Sequence, residues 1–498
     1  MVEAILSGLT ALLTPQAILF MLIGVGYGLI VGILPGLGGI VAMTLLLPFT
    51  YGYELAATLA LLLGAHIATI WGGSVTSILF NVPGAAKSMA LVFDGYPMTQ
   101  KGQASRALGA SATAALLGGL VGAIFLALSI PIVRPVMLAL GPSEYLMMAF
   151  WGLTLIATFS KGSLLKGLIA TALGIMMAYV GMDPVTGTPR FWFDSIYLLD
   201  GISFPVAMIG LFAVAEMIKL HVKGGTIVDR VAGKEGSSVL SGVKDAFRHW
   251  WLVLRSSLLG LWIGVLPGVG ASVGGIAAYA HAAQTSATPE RFGKGAVEGV
   301  IAPDATLGAN EGGGLMPTLA FGIPGGEGMA ILLVAFLGMG IVPGPQMLTT
   351  GLDIVFTMVW IIVIANLLTT LIGLTISSRL ARLPTLNPKF MIPLVLSVCF
   401  FGAFATRGLL ADVFVAAAFG CAGYFMDKYQ YSRANFVIGM VLAEMIERNL
   451  HISLGLYGNF FVFTRPITLA MFGLILITTA LPFIRTRRNR NRIQREKN

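Results

Sequence analysis

Apolar positions run on for a membrane's thickness at a time along most of this chain, and polar residues enter chiefly at the joints. Residues 110–133 are almost entirely Ala, Leu, Gly and Ile, long enough to cross about 30 Å of hydrocarbon. Residues 355–376 predict the cleanest helix. Further spans read at 145–159, 164–181, 203–218, 251–266, 391–404, 409–426, 435–446 and 466–484. Residues 1–14 are mildly amphipathic and end at Thr14-Pro15, as for a surface helix preceding the first span. Leu55 to Phe80 is apolar but studded with His66, Thr69, Ser74, Thr76 and Ser77, and Asp94 to Arg106 reads as a loop. The pattern predicts an all-α polytopic membrane protein with about ten to thirteen crossings or half-crossings.

Four interruptions break that pattern. GILPGLGG at Gly32–Gly39 returns as GVLPGVGA at Gly264–Ala271, and Asn81-Val82-Pro83-Gly84 has its counterpart in Phe321-Gly322-Ile323-Pro324-Gly325-Gly326. Proline lacks the amide donor and glycine gives up backbone order, so neither continues a regular helix. In lipid such backbone survives only buried in protein or lining a cavity. The recurrence is wider than the breaks. Pro35 matches Pro267 at an offset of 232, Pro83 matches Pro324 at 241, Ser160-Lys161-Gly162 matches Thr406-Arg407-Gly408 at 246, and Ala215–Ile218 matches Ala443–Ile446 at 228. Four landmarks in one order indicate one unit used twice. The predicted divisions are an interfacial segment 1–14, a first repeat 15–218, a basic linker 219–249, a second repeat 250–455, a final span 456–484 and a basic tail 485–498.

Composition agrees: 56% of residues are hydrophobic and 11% charged, against about 25% charged in ordinary soluble proteins. The net charge of +9 gathers in the linker region and the tail, which the positive-inside rule keeps in the cytoplasm, so it argues for membrane topology and not for nucleic acid. With both basic segments inside and one span after the second repeat, the repeats come out inverted, with broken helices or re-entrant hairpins, as in many secondary transporters. Cys399 and Cys421 have no partner motif, so neither a disulfide nor a metal site is expected. Glu3 and the absence of a basic n-region argue against a cleaved signal peptide.

A helix that starts inside the protein exposes amides and a positive dipole that favour an anion, and one that stops exposes carbonyls that hold a cation. The candidate binding positions are therefore Pro35, Gly36, Leu37, Gly38 and Gly39, then Pro83 and Gly84, then Pro267, Gly268 and Gly270, then Gly314, Pro324, Gly325 and Gly326. Ser74, Ser77, Asn81, Asn310 and Thr318 supply short polar side chains beside them. This set suits a carboxylate held mainly by backbone amides and hydroxyls. For one motif alone a packing kink is the simpler reading; two repeated pairs flanked by Ser and Asn reverse that. Asp304, Glu311 and Glu327 are ion-coupling candidates, since ionisable groups in membrane segments are costly. Lys87 reads equally as an anion attractor or a snorkelling lysine, and His66 reads as a hydrogen-bonded core histidine. No nucleophile, zincin or Walker A pattern is present, so no enzyme and no cofactor is expected beyond a coupling Na+ or H+.

From about residue 15 to 480 the chain resembles the tripartite tricarboxylate transporter family, large membrane subunit of TctA type. GILPGLGG, WGGSVTSILFNVPGAAKSMALVFDGYPMTQKG, GVLPGVGA and APDATLGANEGGGLMPTLAFGIPGG carry the likeness. The resemblance implies an ion-driven importer of di- or tricarboxylates in the bacterial inner membrane. It also implies a small membrane subunit and a periplasmic solute-binding protein as partners. Family motif positions fall on Pro35, Gly36, Gly38, Pro267, Gly268, Gly270, Pro324 and Gly325, and on Ser77, Asn81, Pro83 and Gly84. This chain departs from the family at Glu311, where small neutral residues are usual. A carboxylate there repels an anionic substrate unless protonated or paired. Alternating access, elevator-like by the inverted hairpins, is the expected motion; a passive channel or a scaffold is the alternative.

Overall fold

The computed structural model describes residues 1–34, 37–159, 164–183, 186–223, 237–267, 270–380 and 388–479. Pro35, Gly36, Gly268, Lys161 and the basic tail, from the expectations above, lie outside the described residues. Helix α1 (Val2–Leu12) precedes α2 (Pro15–Ile33), which starts at Pro15 with the Thr14 side chain accepting from the Ala17 amide, a proline at N1 after a Thr cap. After the first break come α3 (Gly38–Leu46) and α4 (Leu55–Phe80). Beyond the NVPG break a 3₁₀ segment, Ala86–Leu91, leads into α5 (Val92–Gln100), α6 (Ala104–Ala139), α7 (Pro142–Phe159) and α8 (Leu164–Ala178). The two-residue strands Gly181–Met182 and Pro189–Arg190 pair antiparallel. Then follow α9 (Ile196–Leu199), α10 (Phe204–Met208), a π-helical turn at Ile209–Val214 and α11 (Ala215–Lys223).

The order then recurs. Helix α12 (Val239–Arg248), formed from the end of the basic stretch, lies on α6. Helices α13 (Trp250–Val265), α14 (Gly270–Gln284), α15 (Glu298–Phe321), α16 (Glu327–Gly338), α17 (Leu352–Leu380), α18 (Pro388–Arg407), α19 (Leu410–Lys428) and α20 (Arg433–Tyr457) complete the second half. A short α21 (Phe461–Thr464) and α22 (Pro466–Thr479) close the described chain. Six of the described helices are long and apolar enough to cross a membrane, and seven shorter apolar ones accompany them. One expectation fails: part of the stretch read as a loop is α5, because Asp94 finds buried amide partners and does not need water.

Small residues let helices touch where lipid gives no hydrophobic drive between them. Gly24, Gly28 and Gly32 of α2 lie directly on the backbone of α4 at Leu61, Ala65 and Thr69, so the two run parallel. Gly260 and Gly264 of α13 lie in the same way on Thr306 and Asn310 of α15. Gly84 seats on Gly73, and Gly325 on Gly314. Each of these second-half positions is its first-half counterpart shifted by the repeat offset.

Packing between halves is reciprocal: α6 lies on α15 while α17 lies on α4, and α8 on α20 while the π turn lies on α19. The equivalent helices α4 and α15 run antiparallel, since Ser74 meets Asp304 and His66 meets Glu311. Helix α4 is 89% buried over its apolar window, α19 only 22%. The α4–α15 pair is therefore the axis of the molecule, and α19 lies at its rim.

Candidate functional site

Two of the breaks, one from each half, lead to helix starts beside the α4–α15 axis. Helix α3 begins at Gly38 and α16 at Glu327, and neither N-terminus is capped by a side chain. Both converge on His66 of α4. A Cβ built on Gly39 would sit 2.5 Å from His66 Nδ1, and one on Gly328 would strike Cε1. The imidazole is thus wedged between one helix start from each half. Its Nε2 stands 3.0 Å from Glu311 Oε2, with both side chains buried. The contact is an ion-pair distance without hydrogen-bond alignment, and His66 Nδ1 and Glu311 Oε2 have no hydrogen-bond partner. Lys87, in the 3₁₀ segment after NVPG, interacts electrostatically with Glu311 and Glu327. Two turns along α15, the fully buried Asp304 accepts from Ser74 Oγ at 2.7 Å.

The structure sorts the sequence candidates by what their polar atoms do. Ser77 donates to the Gly73 carbonyl at 2.9 Å, and its counterpart Thr318 donates to Gly314 at 2.6 Å while accepting from the Gly325 amide at 3.1 Å. These hydroxyls hold the breaks in shape, and the Ser74 hydroxyl is engaged by Asp304. Leu37, Pro267 and Pro324 are buried beside the turns, Pro83 half-buried. Gly38 (φ 41°) and Gly270 (φ 75°), one repeat apart, both take left-handed backbone. Where Ala85 lies near Gly38 in the first half, the second has Gly326, and open space faces both Gly270 and Gly326. Asn310 is half-buried next to Glu311, and Glu327 is exposed at the start of α16.

Asn81 has a conformational role. It ends α4 at φ 59°, as Gly322, one offset of 241 later, ends α15 at φ 67°. Asn is among the few side chains that accept this left-handed C-terminal position. Its side chain is exposed. Asn81→Gly is expected to leave thermal stability in detergent unchanged. Asn81→Val should lower it by about 1–2 kcal/mol, the cost of forcing a branched residue left-handed. Equal melting curves for the two would remove this role.

Three features escape a reading of the sequence alone. His66 looks like an ordinary core residue because its partner lies 245 positions away. Asp94 gives no sign of being a tie between halves, yet its carboxylate accepts from the Gly295 and Ala296 amides at 2.7 and 2.8 Å and from the Tyr279 hydroxyl at 2.9 Å. The third is a cleft of about 140 Å³ beside Gly322, between α16 and α20, with Tyr145, Arg448 and Asn449 in its wall. It does not include His66 or Glu311. A grouping with metal-ligand chemistry, Asp183, Glu447 and His451, already holds a cation, because Arg190 grips both Glu447 oxygens and lies 3.5 Å from Asp183.

Similarity to known proteins bears on this arrangement. The profile of the tripartite tricarboxylate transporter TctA family matches residues 18–438. The chain belongs to the TctA family. Membership places it among components of tripartite tricarboxylate transporters. An uncharacterised 52.8 kDa protein of the TAR-I ttuC' 3' region of Agrobacterium vitis is 31% identical over 489 residues, covering 97% of each chain. A second uncharacterised protein, from the TAR-II ttuC' 3' region of the same organism, is 29% identical over 235 residues, which is 46% of this chain and 97% of that one. No solved structure matches this TctA-family chain.

Proposed function

We propose that this chain is the large permease subunit of a tripartite secondary transporter that imports di- or tricarboxylates by ion-coupled alternating access. One observation carries the reading: uncapped starts of α3 and α16, one from each half, meet on a buried group of ionisable side chains. The free amides and positive dipole ends favour carboxylates there, and Lys87 adds a positive charge. Substrate contacts are assigned to the break positions Pro35–Gly39, Pro83–Gly84, Pro267, Gly268, Gly270 and Pro324–Gly326, with Asn310 at the edge. Cation coupling is assigned to the carboxylates of Asp304, Glu311 and Glu327.

The antiparallel course of α4 and α15 supports inverted repeats, and the basic segments at 219–255 and 485–498 favour an inner-membrane topology with the C-terminus in the cytoplasm. An elevator-like motion of the hairpin-bearing region fits the reciprocal packing. A small membrane subunit and a periplasmic solute-binding protein complete the assembly that family membership implies. In proteoliposomes holding all three components, labelled succinate or citrate is expected to accumulate several-fold above the outside level under a sodium or proton gradient. Flux that only equalises concentrations and ignores both ions would make the chain a channel.

A further inference from the structure

We propose that His66 and Glu311 together form the proton-binding site that couples transport, so that the carboxylate enters with H+ and not with Na+. The inference rests on the carboxylate-importer reading and assigns its coupling ion. Both side chains are more than nine-tenths buried, their near atoms are 3.0 Å apart, and His66 Nδ1 and Glu311 Oε2 lack hydrogen-bond partners. A sodium site needs several oxygen ligands converging on one point. Here a ring nitrogen stands 3.0 Å from a carboxylate oxygen, a pair that suits a proton instead.

The surrounding charges say what that proton does. Lys87 comes from the 3₁₀ segment, Glu327 from the first turn of α16 and Asp304 from α15 itself, bonded to Ser74. Helix α3 carries no ionisable side chain, and α6 and α17 present none at this level. Tyr27 of α2 lies near Cys399. Arg255 of α13 runs level with Ile301, given the Gly260–Thr306 register, about three helical turns from Glu311. Leaving out Asp304, which lies two turns away along α15 and is bonded to Ser74, and with His66 neutral, Lys87 (+1), Glu311 (−1) and Glu327 (−1) sum to −1. One proton brings the sum to zero.

The unloaded pair therefore repels an anion at the starts of α3 and α16, and the loaded pair admits it. On release to the alkaline side the proton leaves, the negative charge returns and the carboxylate is expelled. Nothing is oxidised or reduced; one proton moves on and off the shared pair each cycle. This also accounts for a carboxylate at position 311, where the family resemblance calls for a neutral residue. Here it is paired and can be neutralised.

The test uses proteoliposomes holding the chain with its two partner components, sodium-free buffers, an alkaline interior and labelled succinate at a pH where it is fully ionised. Wild-type protein is expected to accumulate succinate under the pH gradient alone, with initial uptake falling about tenfold per unit of rising external pH on the alkaline side, as for one bound proton. Glu311→Gln and His66→Gln are each expected to lose this pH dependence. Glu311→Asp, which keeps the titrating group at a longer reach, should move the pH of half-maximal uptake. Accumulation that needs sodium and ignores the pH gradient overturns the proposal while leaving the importer reading intact. So does an unshifted pH profile in Glu311→Asp, or wild-type pH dependence in either Gln variant that reaches the membrane. Failure of wild-type protein to move succinate or citrate under any gradient overturns the importer reading and this inference with it.

Discussion

Gly328→Ala is expected to cut carboxylate uptake about tenfold or more, a loss of about 1.4 kcal/mol or more in the limiting step, with little change in the amount of protein reaching the membrane. The added methyl would strike the His66 imidazole at Cε1. That ring cannot retreat, since Gly39 of α3 closes on its Nδ1 side and Glu311 stands at Nε2. Something must shift, and the movable partners are α3 and α16, whose starts form the proposed anion site. Gly39→Ala approaches the same ring from the other half and should give the same phenotype. The double substitution should be far from additive, because both act through one side chain. Gly26→Ala in α2 is the control, as a methyl there meets nothing within 4 Å. Transport assays on matched amounts of reconstituted protein decide it. Normal uptake by both alanine variants would mean that His66 is not held at the site.

Much of this site is legible from the chain because repetition marks it twice. The pairs Pro35 with Pro267 and Pro83 with Pro324 locate every break, since backbone that cannot be helical in a membrane must be housed. The sequence pattern does not say what each side chain does once the break is built. Ser77 and Thr318 look like ligands by type, and their hydroxyls instead close the breaks on Gly73 and Gly314. Asn81 looks like a donor, and its left-handed backbone shows that it stands where the other half has Gly322. His66 gives no signal because the pairing with Glu311 breaks the repeat: by the offset of 241, its counterpart is Leu307, and that of Glu311 is Ile70. Repeat logic finds what the halves share. The ionisable pair is where they differ, and only packing α4 antiparallel to α15 brings it together.

Gly312→Val is expected to destabilise the folded protein by about 1–3 kcal/mol, the usual cost of forcing extra methyl groups into a packed interface. Gly312 of α15 lies directly against the backbone of Gly122 in α6, so a Cβ there would overlap main-chain atoms. The contact continues along both helices, with Gly118 on Ala305, Gly122 on Ala309 and Gly308 on Ala115. Backbone cannot rotate away as a side chain can, so the helices must separate along their length. In lipid, association depends on such close packing, because no hydrophobic drive replaces it. Helix α6 belongs to the first half and α15 to the second, so the loss falls on the joint between the halves and should lower the melting temperature of the whole chain. Gly122→Val should reproduce it from the other side. Gly455→Val, at a position of α20 with nothing within 4 Å, should leave melting in detergent near wild type. If Gly312→Val melts with Gly455→Val, the halves are not held together chiefly through α6 and α15, and the other contacts between them, α17 on α4 and α8 on α20, would have to carry the joint.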